Sequence, residues 1–367
     1  MSIKLTIGTA VYNVGEAFLR MHIEGILKQL TDETELLLID DCSTDNSGEV
    51  CREYAEKDGR IRYIRMDKNS GLSSVRNRTI DEAKGKWIFF ADGDDLLSDY
   101  AVETALRFYD TDYDVIMHNR GDFVEEKPAE TACTVKELTK IPESAGREIS
   151  ISCLSIKPFD YAKYNMDKIA FFHAAWAALY RRDFLTENKL IFPVGQKKAQ
   201  DSVFNTYTYF TAKNIAYLPY KMYYYRKNAS GITKRYSRDF VDMAQMLIGH
   251  HMDCIKKLYP DDAEVKKAYS DYRLMSLTLD AMKLKFFHKD NTEPKAVRKK
   301  EFLEFVESEP FKSAISDYKI SKNDWWGWNL PILYVKKKNF TMLNFAIRHE
   351  KTFEIYGKAW SAIHKIF

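Results

Sequence analysis

The stretch Phe89-Phe90-Ala91-Asp92-Gly93-Asp94-Asp95 combines a short apolar run with three carboxylates. Residues 87–90 are continuously apolar, which is typical of a strand buried on both faces. Such a strand delivers the three carboxylates at its carboxyl end. Carboxylates this close repel one another unless a cation lies among them, and hard divalent ions prefer oxygen ligands. The pattern favours a metal–diphosphate site, although an acidic turn that caps a helix has the same composition.

Strand-like and helix-like segments alternate around this stretch through the first 120 residues. The apolar patterns predict strands over residues 3–9, 35–40, 61–65, 87–90 and 114–117, and helices over residues 15–30, 46–57, 73–83 and 98–109. Such alternation is typical of an α/β fold with a mostly parallel central sheet flanked by helices. Because ligands of these sheets bind beyond the carboxyl ends of the strands, the residues that follow each strand form the candidate site.

The pattern is less regular further along the chain. Additional strands are predicted over residues 174–180, 215–218 and 222–226, helices over 182–188 and 201–210, and loops or a hairpin around 125–128 and 141–144. After about residue 237, apolar residues recur at helical spacing, namely Phe240, Met243, Leu247, His251, Cys254 and Leu258. We therefore predict a sheet domain over residues 1–237 and an α-helical domain over residues 238–367, serving oligomerisation, acceptor binding or membrane-surface contact. The pair His250-His251 is interpreted as part of a helix face rather than a metal site.

Composition argues against several classes of protein. The 367 residues carry 56 basic and 53 acidic side chains, a net charge of +3, which argues against a nucleic-acid partner. Five cysteines without CxxC spacing indicate reduced thiols rather than disulfide bonds or a zinc site. The chain begins on a strand-like run, and no apolar stretch is long enough to span a bilayer. We therefore expect a cytoplasmic protein that can touch the inner face of the cytoplasmic membrane.

Two further polar segments follow predicted strands. Asp40-Asp41-Cys42-Ser43-Thr44-Asp45 comes after the second strand, where a carboxylate can accept from a base N–H or a ribose hydroxyl; a capped turn is the alternative. Asn69-Ser70-Gly71 follows the third strand and leads into a helix whose N-terminus favours anions. From this helix, Arg76 could reach a nucleotide or lie on the surface.

Taken together and in order, these motifs resemble those of the family 2 glycosyltransferases, which are inverting enzymes with the GT-A fold. The first four are Thr9-Ala10-Val11-Tyr12-Asn13, the Asp40-Asp41 segment, Gly71-Leu72-Ser73-Ser74-Val75-Arg76-Asn77 and Asp92-Gly93-Asp94-Asp95. Later segments look like landmarks of bacterial polysaccharide members: Tyr180-Arg181-Arg182, Ile191-Phe192-Pro193, Gln200-Asp201, Tyr223-Tyr224-Tyr225-Arg226 and Ser230-Gly231-Ile232-Thr233. The resemblance covers roughly residues 3–235 and implies a GT-A domain followed by a helical one.

The resemblance implies a nucleotide-sugar-binding edge formed by Ala10, Tyr12, Asp41, Arg76, Asp92 and Gly93. Tyr12 and the backbone at Ala10 would border a uracil-type base, and Asp41 would accept a hydrogen bond from that base. Arg76 would help to hold the nucleotide. Asp92 would lie near the donor ribose or the metal ion.

The resemblance also implies metal ligands and a catalytic base. Asp94 would be the principal ligand of Mn²⁺ or Mg²⁺, with Asp95 close by. Asp201 matches the base, which is the second residue of a Glu-Asp pair in the family. Gln200 stands in place of the glutamate here, and the loss of one neighbouring negative charge favours ionisation of Asp201.

Other candidates lie outside these motifs. Arg226, Lys234 and Arg235 could close over the donor diphosphate, or they could form a solvated basic loop. Trp176 could stack on a sugar of the donor or acceptor, or it could pack in the core.

The C-terminal region groups aromatic and basic residues. Trp325, Trp326 and Trp328 precede the run Lys336-Lys337-Lys338. Aromatic anchors beside lysines suit peripheral contact with an anionic membrane surface. The alternative is that the tryptophans pack within the helical domain or against a second copy of the chain in a homo-oligomer.

The sequence thus predicts a metal-dependent inverting glycosyltransferase. It would move a sugar from a nucleotide-diphosphate donor, with UDP expected, to a hydroxyl of a glycan, a polyol-phosphate polymer or a lipid-linked acceptor in bacterial surface polysaccharide synthesis. Inverting transfer is a single in-line displacement that needs one base, as Asp201 would provide.

Two alternatives keep a related fold, and a third is disfavoured. A sugar-phosphate nucleotidyltransferase needs a glycine-rich, basic loop after the first strand, and none occurs there. A non-catalytic protein that binds nucleotide sugars or glycans would not need both the acidic cluster and Asp201. A dinucleotide-dependent dehydrogenase is disfavoured because no GxGxxG follows the first strand.

Overall fold

The computed structural model describes residues 2–167, 172–227, 235–319 and 326–349, without the side chains of residues 326–328. Within these ranges, no helix combines the length and apolar character that a membrane crossing requires. The lid candidate Lys234 lies outside the described residues, as do Trp325 and the side chains of Trp326 and Trp328.

Strands and helices alternate through the first 226 residues, and only helices follow among the described residues. The strands are β1 (Leu5–Val11), β2 (Thr34–Asp40), β3 (Ile61–Arg65), β4 (Trp87–Asp92), β5 (Leu96–Leu97), β6 (Val115–Phe123), β7 (Thr139–Ile141), β8 (Ala178–Arg181) and β9 (Ile215–Arg226). The helices are α1 (Glu16–Leu27), α2 (Ser47–Lys57), α3 (Leu72–Glu82), α4 (Ala101–Arg107), α5 (Glu143–Ser155), α6 (Arg182–Glu187), α7 (Gln200–Thr211), α8 (Phe240–Leu258), α9 (Ala263–Ala268), α10 (Met275–Ala281), α11 (Lys295–Glu307), α12 (Phe311–Asp317), α13 (Trp326–Lys336) and α14 (Phe340–Arg348). Short 3₁₀ segments span Ala162–Tyr164 and Ala175–Ala177, and π-helical segments span Tyr269–Leu274 and Met282–Phe286.

The strands form one mixed sheet in the order β3-β2-β1-β4-β8-β6-β9-β5, and β7 pairs with β9. Strand β1 lies parallel to β2 and β4, and β2 lies parallel to β3, which confirms the parallel arrangement predicted for this part. Beyond β4 the sheet is mixed, with β6 and β9 still paired in parallel. Strand β8 runs antiparallel to both of its neighbours, and β5 and β7 run antiparallel to β9. Strands β5 and β7 have two and three residues, which is too short to produce a periodic pattern in the sequence.

Alternate residues of the central strands face opposite helical layers. In β2, Leu36 and Leu38 belong to the core cluster that includes the buried faces of α1 and α2, whereas Leu37 and Ile39 cluster with Val75 of α3. Every residue of β2 is buried, as expected of an apolar strand in a sheet covered on both faces. This layering leaves the loops at the carboxyl ends of β1, β2 and β4 open to a ligand.

Helix α5 replaces part of the region that was predicted as loops or a hairpin. Its residues Ala145, Ile149 and Cys153 recur at helical spacing and are all buried. Ser150 and Ser152 are buried as well, and Ser150 Oγ donates to the carbonyl of Thr206 at 2.6 Å. These buried serines break the apolar pattern from which a helix is predicted.

Two predicted strand boundaries were wrong. Residues 175–177 form a 3₁₀ turn, so only the end of the predicted strand over 174–180 belongs to β8. The two strands predicted over 215–218 and 222–226 are one strand, β9, whose pairing with β6 shifts register between His118 and Arg120. The shift lies opposite Pro219, which has no N–H for the ladder.

The chain divides into two compact units. Among the described residues, the first unit contains residues 2–154, 158–167, 172–227 and 250–254, and it holds the whole sheet. The second unit contains residues 155–157, 235–249, 255–319 and 326–349 and includes helices α9 to α14. The main division therefore falls between residues 227 and 235, with two exceptions: residues 155–157 group with the helical unit, and residues 250–254 of α8 group with the sheet.

Candidate active site

The candidate site lies where the chain order across the sheet reverses. From β1 the chain proceeds to β2 and β3 on one side, whereas β4 pairs with β1 on the other side. Crevices at such switch points are the usual ligand sites of open α/β sheets. Ala10 and Asp92 are register partners here, and the Gly93 N–H donates to the Ala10 carbonyl at 3.1 Å. A Cβ at Gly93 would lie 3.1 Å from a methyl group of Val14, so glycine permits this close approach.

Asp41 holds the loop that leads into α3. Its carboxylate oxygens accept from the backbone N–H groups of Ser70 at 2.7 Å and Gly71 at 2.8 Å. Gly71 has φ of 83°, a left-handed conformation that favours glycine, and it directly precedes the helix. The predicted acceptance from a base is still chemically open, because each carboxylate oxygen has a second lone pair. Tyr12, predicted to border the base, is 49% exposed at the same edge.

Arg76 links carboxylates from two distant parts of the chain. Its side chain is buried, its Nη2 donates to Asp92 Oδ1 at 3.0 Å, and its Nη1 forms a short ion pair with Asp201 Oδ1. The guanidinium also lies 5.4 Å from the ring of Phe192. Each terminal nitrogen donates to a carboxylate within the protein and has a second N–H group, so the predicted contact with the nucleotide stays a prediction. The bridge brings three predicted site residues together, from α3, β4 and α7.

Charge compensation at the bridge sets the protonation of its members. Burial lowers the pKa of Arg76, but the carboxylates of Asp201 and Asp92 outweigh this effect, so its pKa is raised and the guanidinium stays charged. Burial raises the pKa of Asp201, and Asp92 adds to the increase, whereas Arg76 opposes it. Asp201 Oδ2 also accepts from the Ala175 N–H at 3.2 Å. Both oxygens of Asp201 are therefore fixed in position.

Asp94 is the carboxylate at this edge with the chemistry of a cation ligand. Its side chain is partly buried, and burial and the nearby Asp92 raise its pKa. Within the described part of the chain, no other residue forms a hydrogen bond or ion pair with this carboxylate. A carboxylate in this situation fits a divalent cation, which would offset the repulsion from Asp92.

Asp95, predicted close to the metal, instead ties β4 to β9. Its Oδ2 accepts from the Tyr223 hydroxyl and its Oδ1 from the Arg226 N–H, both at 2.7 Å. It is 2% exposed, and burial together with the charges of Asp92 and Asp94 raises its pKa to about 8. Among the described residues, no group of three or more His, Cys, Asp or Glu side chains is arranged to hold a metal. Mg²⁺ is commonly bound through one or two carboxylates together with substrate phosphates and water, so a single carboxylate such as Asp94 is compatible with a cation.

Arg226 stabilises residues 92–95, which we call the acidic loop, through a bond to its backbone. It is buried, its Nε donates to the Asp94 carbonyl at 2.7 Å, and its guanidinium lies between the rings of Phe18 at 4.2 Å and Phe123 at 4.4 Å. The predicted closure over the diphosphate does not match this position, because the side chain is already enclosed. Arg235, the other described lid candidate, is exposed.

Trp176 packs in the core, where it contacts a tyrosine that is bonded to the acidic loop. It is 5% exposed and stacks on Tyr223 with ring centroids 4.5 Å apart and planes 6° from parallel. Of the two interpretations offered for Trp176, core packing is therefore the one observed. Tyr223 in turn accepts from the Asp92 N–H at 3.1 Å, so this stack supports both Asp92 and Asp95.

His22 is a supporting residue that sequence analysis missed. Its Nδ1–H donates to the Asp95 carbonyl at 2.7 Å, and Nε2 lies 2.9 Å from Thr9 Oγ1. Burial lowers its pKa to about 4, so the ring is neutral and fixed in one tautomer. In the sequence it occupies the apolar face of a helix, which gives no signal of this contact.

Comparison with known proteins agrees with this architecture. The sequence profile described as "Glycosyl transferase family 2" matches residues 6–188. EpsH of Bacillus subtilis, described as a glycosyltransferase, is 30% identical over 232 residues, which cover 62% of this chain and 62% of EpsH. A glycosyltransferase of Haemophilus influenzae, described as uncharacterized, is 30% identical over 169 residues, which cover 44% of this chain and 67% of that protein.

Solved structures with the same fold are more distant in sequence. TarS 1–349 of S. aureus, in complex with UDP-GlcNAc, matches with a TM-score of 0.60 at 17% identity and covers 95% of this chain and 92% of that chain. GalNAc-T7 with UDP, GalNAc and Mn²⁺ matches with a TM-score of 0.52 at 14% identity, covering 86% of this chain and 58% of that chain. These likenesses confirm the predicted GT-A fold.

The bridge predicts a pH-dependent loss of stability when the guanidinium is removed. We expect Arg76→Met to lower the free energy of unfolding by about 3–5 kcal/mol, because it leaves two partly buried carboxylates close together without their shared cation. Without Arg76, the pKa of Asp201 in the folded chain rises further above its unfolded value. A carboxyl group with a raised folded pKa loses stability as the pH rises through that interval, so the deficit should be larger at about pH 7.5 than at about pH 5.

Urea denaturation at both pH values measures this loss, and Arg78→Met on the same helix is the matched control. Arg78 is half exposed and pairs with Glu82 at 2.7 Å, so its removal should cost no more than about 0.5 kcal/mol at either pH. Equal effects of the two substitutions would contradict the buried bridge.

Proposed function

We propose that this chain, which belongs to glycosyl transferase family 2, transfers a sugar from a nucleotide-diphosphate donor to an acceptor hydroxyl, with inversion at the anomeric carbon. The observation that carries the proposal is the Arg76 bridge. It holds a single carboxylate from α7, Asp201, against Asp92 at the donor edge of the sheet. Inverting transfer needs one base opposite the leaving group, and Asp201, held in place by the bridge, would serve as that base.

Asp201 would accept the proton of the attacking hydroxyl. Burial raises the pKa of this carboxyl group, and the charge of Arg76 opposes that rise, which favours the ionised form that a base requires. The bonds from Arg76 and the Ala175 N–H fix both oxygens of Asp201. The base is therefore already oriented when the acceptor hydroxyl binds. Each oxygen retains a lone pair for the incoming proton.

Asp94 would hold a Mn²⁺ or Mg²⁺ ion. When bound, the ion would neutralise the charge that develops on the departing diphosphate. The residues of this chain prepare the position: Arg226 binds the Asp94 carbonyl, and Asp95 ties the loop to β9. GalNAc-T7, a structure of the same fold, was solved with Mn²⁺, which is consistent with this role.

A UDP-sugar is the proposed donor. The exposed ring of Tyr12 can border a base at the end of β1, and Asp41 retains lone pairs for a ring N–H beside the Ser70–Gly71 loop. TarS, which shares the fold, was solved with UDP-GlcNAc. We propose a hexosyl or N-acetylhexosaminyl donor on this basis.

We propose a bacterial surface glycan, a polyol-phosphate polymer or a lipid-linked saccharide as the acceptor. The relatives described above are bacterial, and the later motifs resemble those of polysaccharide enzymes. Residues 326–349 contain four basic and no acidic side chains, and Lys337 and Lys338 are exposed. Peripheral contact of this segment with an anionic membrane would bring the site to a lipid-borne acceptor. The alternative role that we propose for the helical unit is self-association into a homo-oligomer.

The proposed base predicts the effect of Asp201→Asn. The amide cannot take the acceptor proton, so kcat should fall about 10²–10⁴-fold while the Kd for UDP is nearly unchanged. Activity is measured as Mn²⁺-dependent UDP release from a panel of UDP-sugars, and UDP binding by calorimetry. Asp81→Asn, an exposed carboxylate on α3, is the control and should behave as the wild type. Turnover near the wild-type rate in Asp201→Asn would exclude this role.

The proposed metal site predicts the effect of Asp94→Asn on binding. Calorimetry of UDP with and without Mn²⁺ should show that the ion strengthens binding to the wild type but not to Asp94→Asn, because the amide is a poor ligand for a hard cation. Asp110→Asn, a highly exposed carboxylate, should retain the wild-type gain. If Mn²⁺ strengthens UDP binding to Asp94→Asn as much as to the wild type, Asp94 is not the ligand.

A further inference from the structure

Five residues of helix α8 group with the sheet-containing unit, although the flanks of the helix belong to the other unit. These residues are 250–254, and His251 among them is fully buried. Its Nε2 lies 2.9 Å from the hydroxyl oxygen of Ser202. Ser202 is the neighbour of Asp201 in the first turn of α7. A buried imidazole therefore contacts the turn that carries the proposed base.

The hydrogen bonds in this turn define the direction of the contact. Ser202 Oγ donates to the Ala199 carbonyl at 2.7 Å, and the Ser202 N–H donates to the same carbonyl at 3.0 Å. A hydroxyl has only one hydrogen, so with that hydrogen directed to Ala199 the remaining contact is a bond from His251 Nε2–H to Ser202 Oγ. The imidazole thus orients the hydroxyl, and the hydroxyl orients the Ala199 carbonyl.

Ala199 needs this support because of its backbone conformation. Its φ is 58°, in the left-handed region that a residue other than glycine rarely adopts. Such conformations persist only where the surrounding structure fixes them. Ala199 directly precedes α7, so its conformation sets where the first turn of that helix begins and where Asp201 lies.

We infer that His251 is a positioning residue for the transfer reaction: through Ser202 and Ala199 it holds the first turn of α7, and with it the carboxylate of Asp201. The inference rests on the proposed role of Asp201 as the base. His251 itself touches neither substrate nor metal in this scheme. Its contribution is geometric, and small displacements of a reacting group have large effects on rate.

Substitution of His251 separates a positioning role from a structural one. His251→Leu removes the donor, and we expect kcat to fall about 10- to 100-fold while the KM for the UDP-sugar and the Kd for UDP stay near their wild-type values. His251→Gln places an amide N–H within reach of Ser202 Oγ and should restore most of kcat. Ser202→Ala removes the same link by a smaller change and should show the same loss of kcat. It replaces His251→Leu as the test if that variant fails to fold.

Cys254→Ala is the matched control. Cys254 is one turn further along α8, is also fully buried, and interacts with the Tyr207 side chain beyond the first turn of α7. This variant should lose stability to a similar degree but retain kcat. Equal losses of kcat in Cys254→Ala and His251→Leu would overturn the inference, because packing of α8 alone would then explain both.

Hydrogen exchange supplies a readout that does not depend on activity. Amides in a peptide spanning residues 199–205 should exchange faster in His251→Leu than in the wild type or Cys254→Ala. Full activity of Asp201→Asn would refute the proposed base but leave this result standing. Unchanged exchange and unchanged kcat in His251→Leu, with Asp201→Asn inactive, would refute the positioning role alone.

Discussion

The guanidinium of Arg76 between Asp92 and Asp201 is the interaction on which the site depends. It joins α3 and the end of β4 to the start of α7, which lies more than a hundred residues further along the chain. Burying the guanidinium is costly, and the cost is offset only while it keeps its two partly buried carboxylate partners. Other hydrogen bonds hold the members of the bridge in place. Asp41 fixes the loop before α3, the helix that carries Arg76, and the Ala175 N–H donates to the second oxygen of Asp201.

The motif residues divide into those that build the frame and those that stay available. Asp95, Arg226 and Trp176 are enclosed, and each holds a strand or loop in place through bonds or stacking with the protein itself. Tyr12 and Asp94 are among the side chains that stay open toward a ligand. A motif can therefore be recognised correctly although some of its residues contact other protein groups rather than the substrate. The frame has a functional consequence, because it fixes where the open residues lie.

The sequence predicted the first half of the fold well because continuous apolar runs such as Leu36–Ile39 have few structural alternatives to a buried strand. It failed at α5, where buried serines interrupt the apolar period, and at β5 and β7, which are too short to show one. The burial of Arg76 could not be predicted, because a charged residue on a helix has no sequence signature for its partners. His22 and His251 occupy apolar helix faces, and only the packed structure reveals their bonds to Asp95 and Ser202.

A double-mutant cycle between Arg76 and Asp201 tests the central claim most directly. The free energies of unfolding of Arg76→Met, Asp201→Ala and the double variant give the coupling between the two side chains. The bridge predicts a coupling of about 1–3 kcal/mol, with the double variant less destabilised than the sum of the single ones. If the losses of the two single variants add to that of the double variant within about 0.5 kcal/mol, Arg76 does not directly bridge the proposed base to the end of β4.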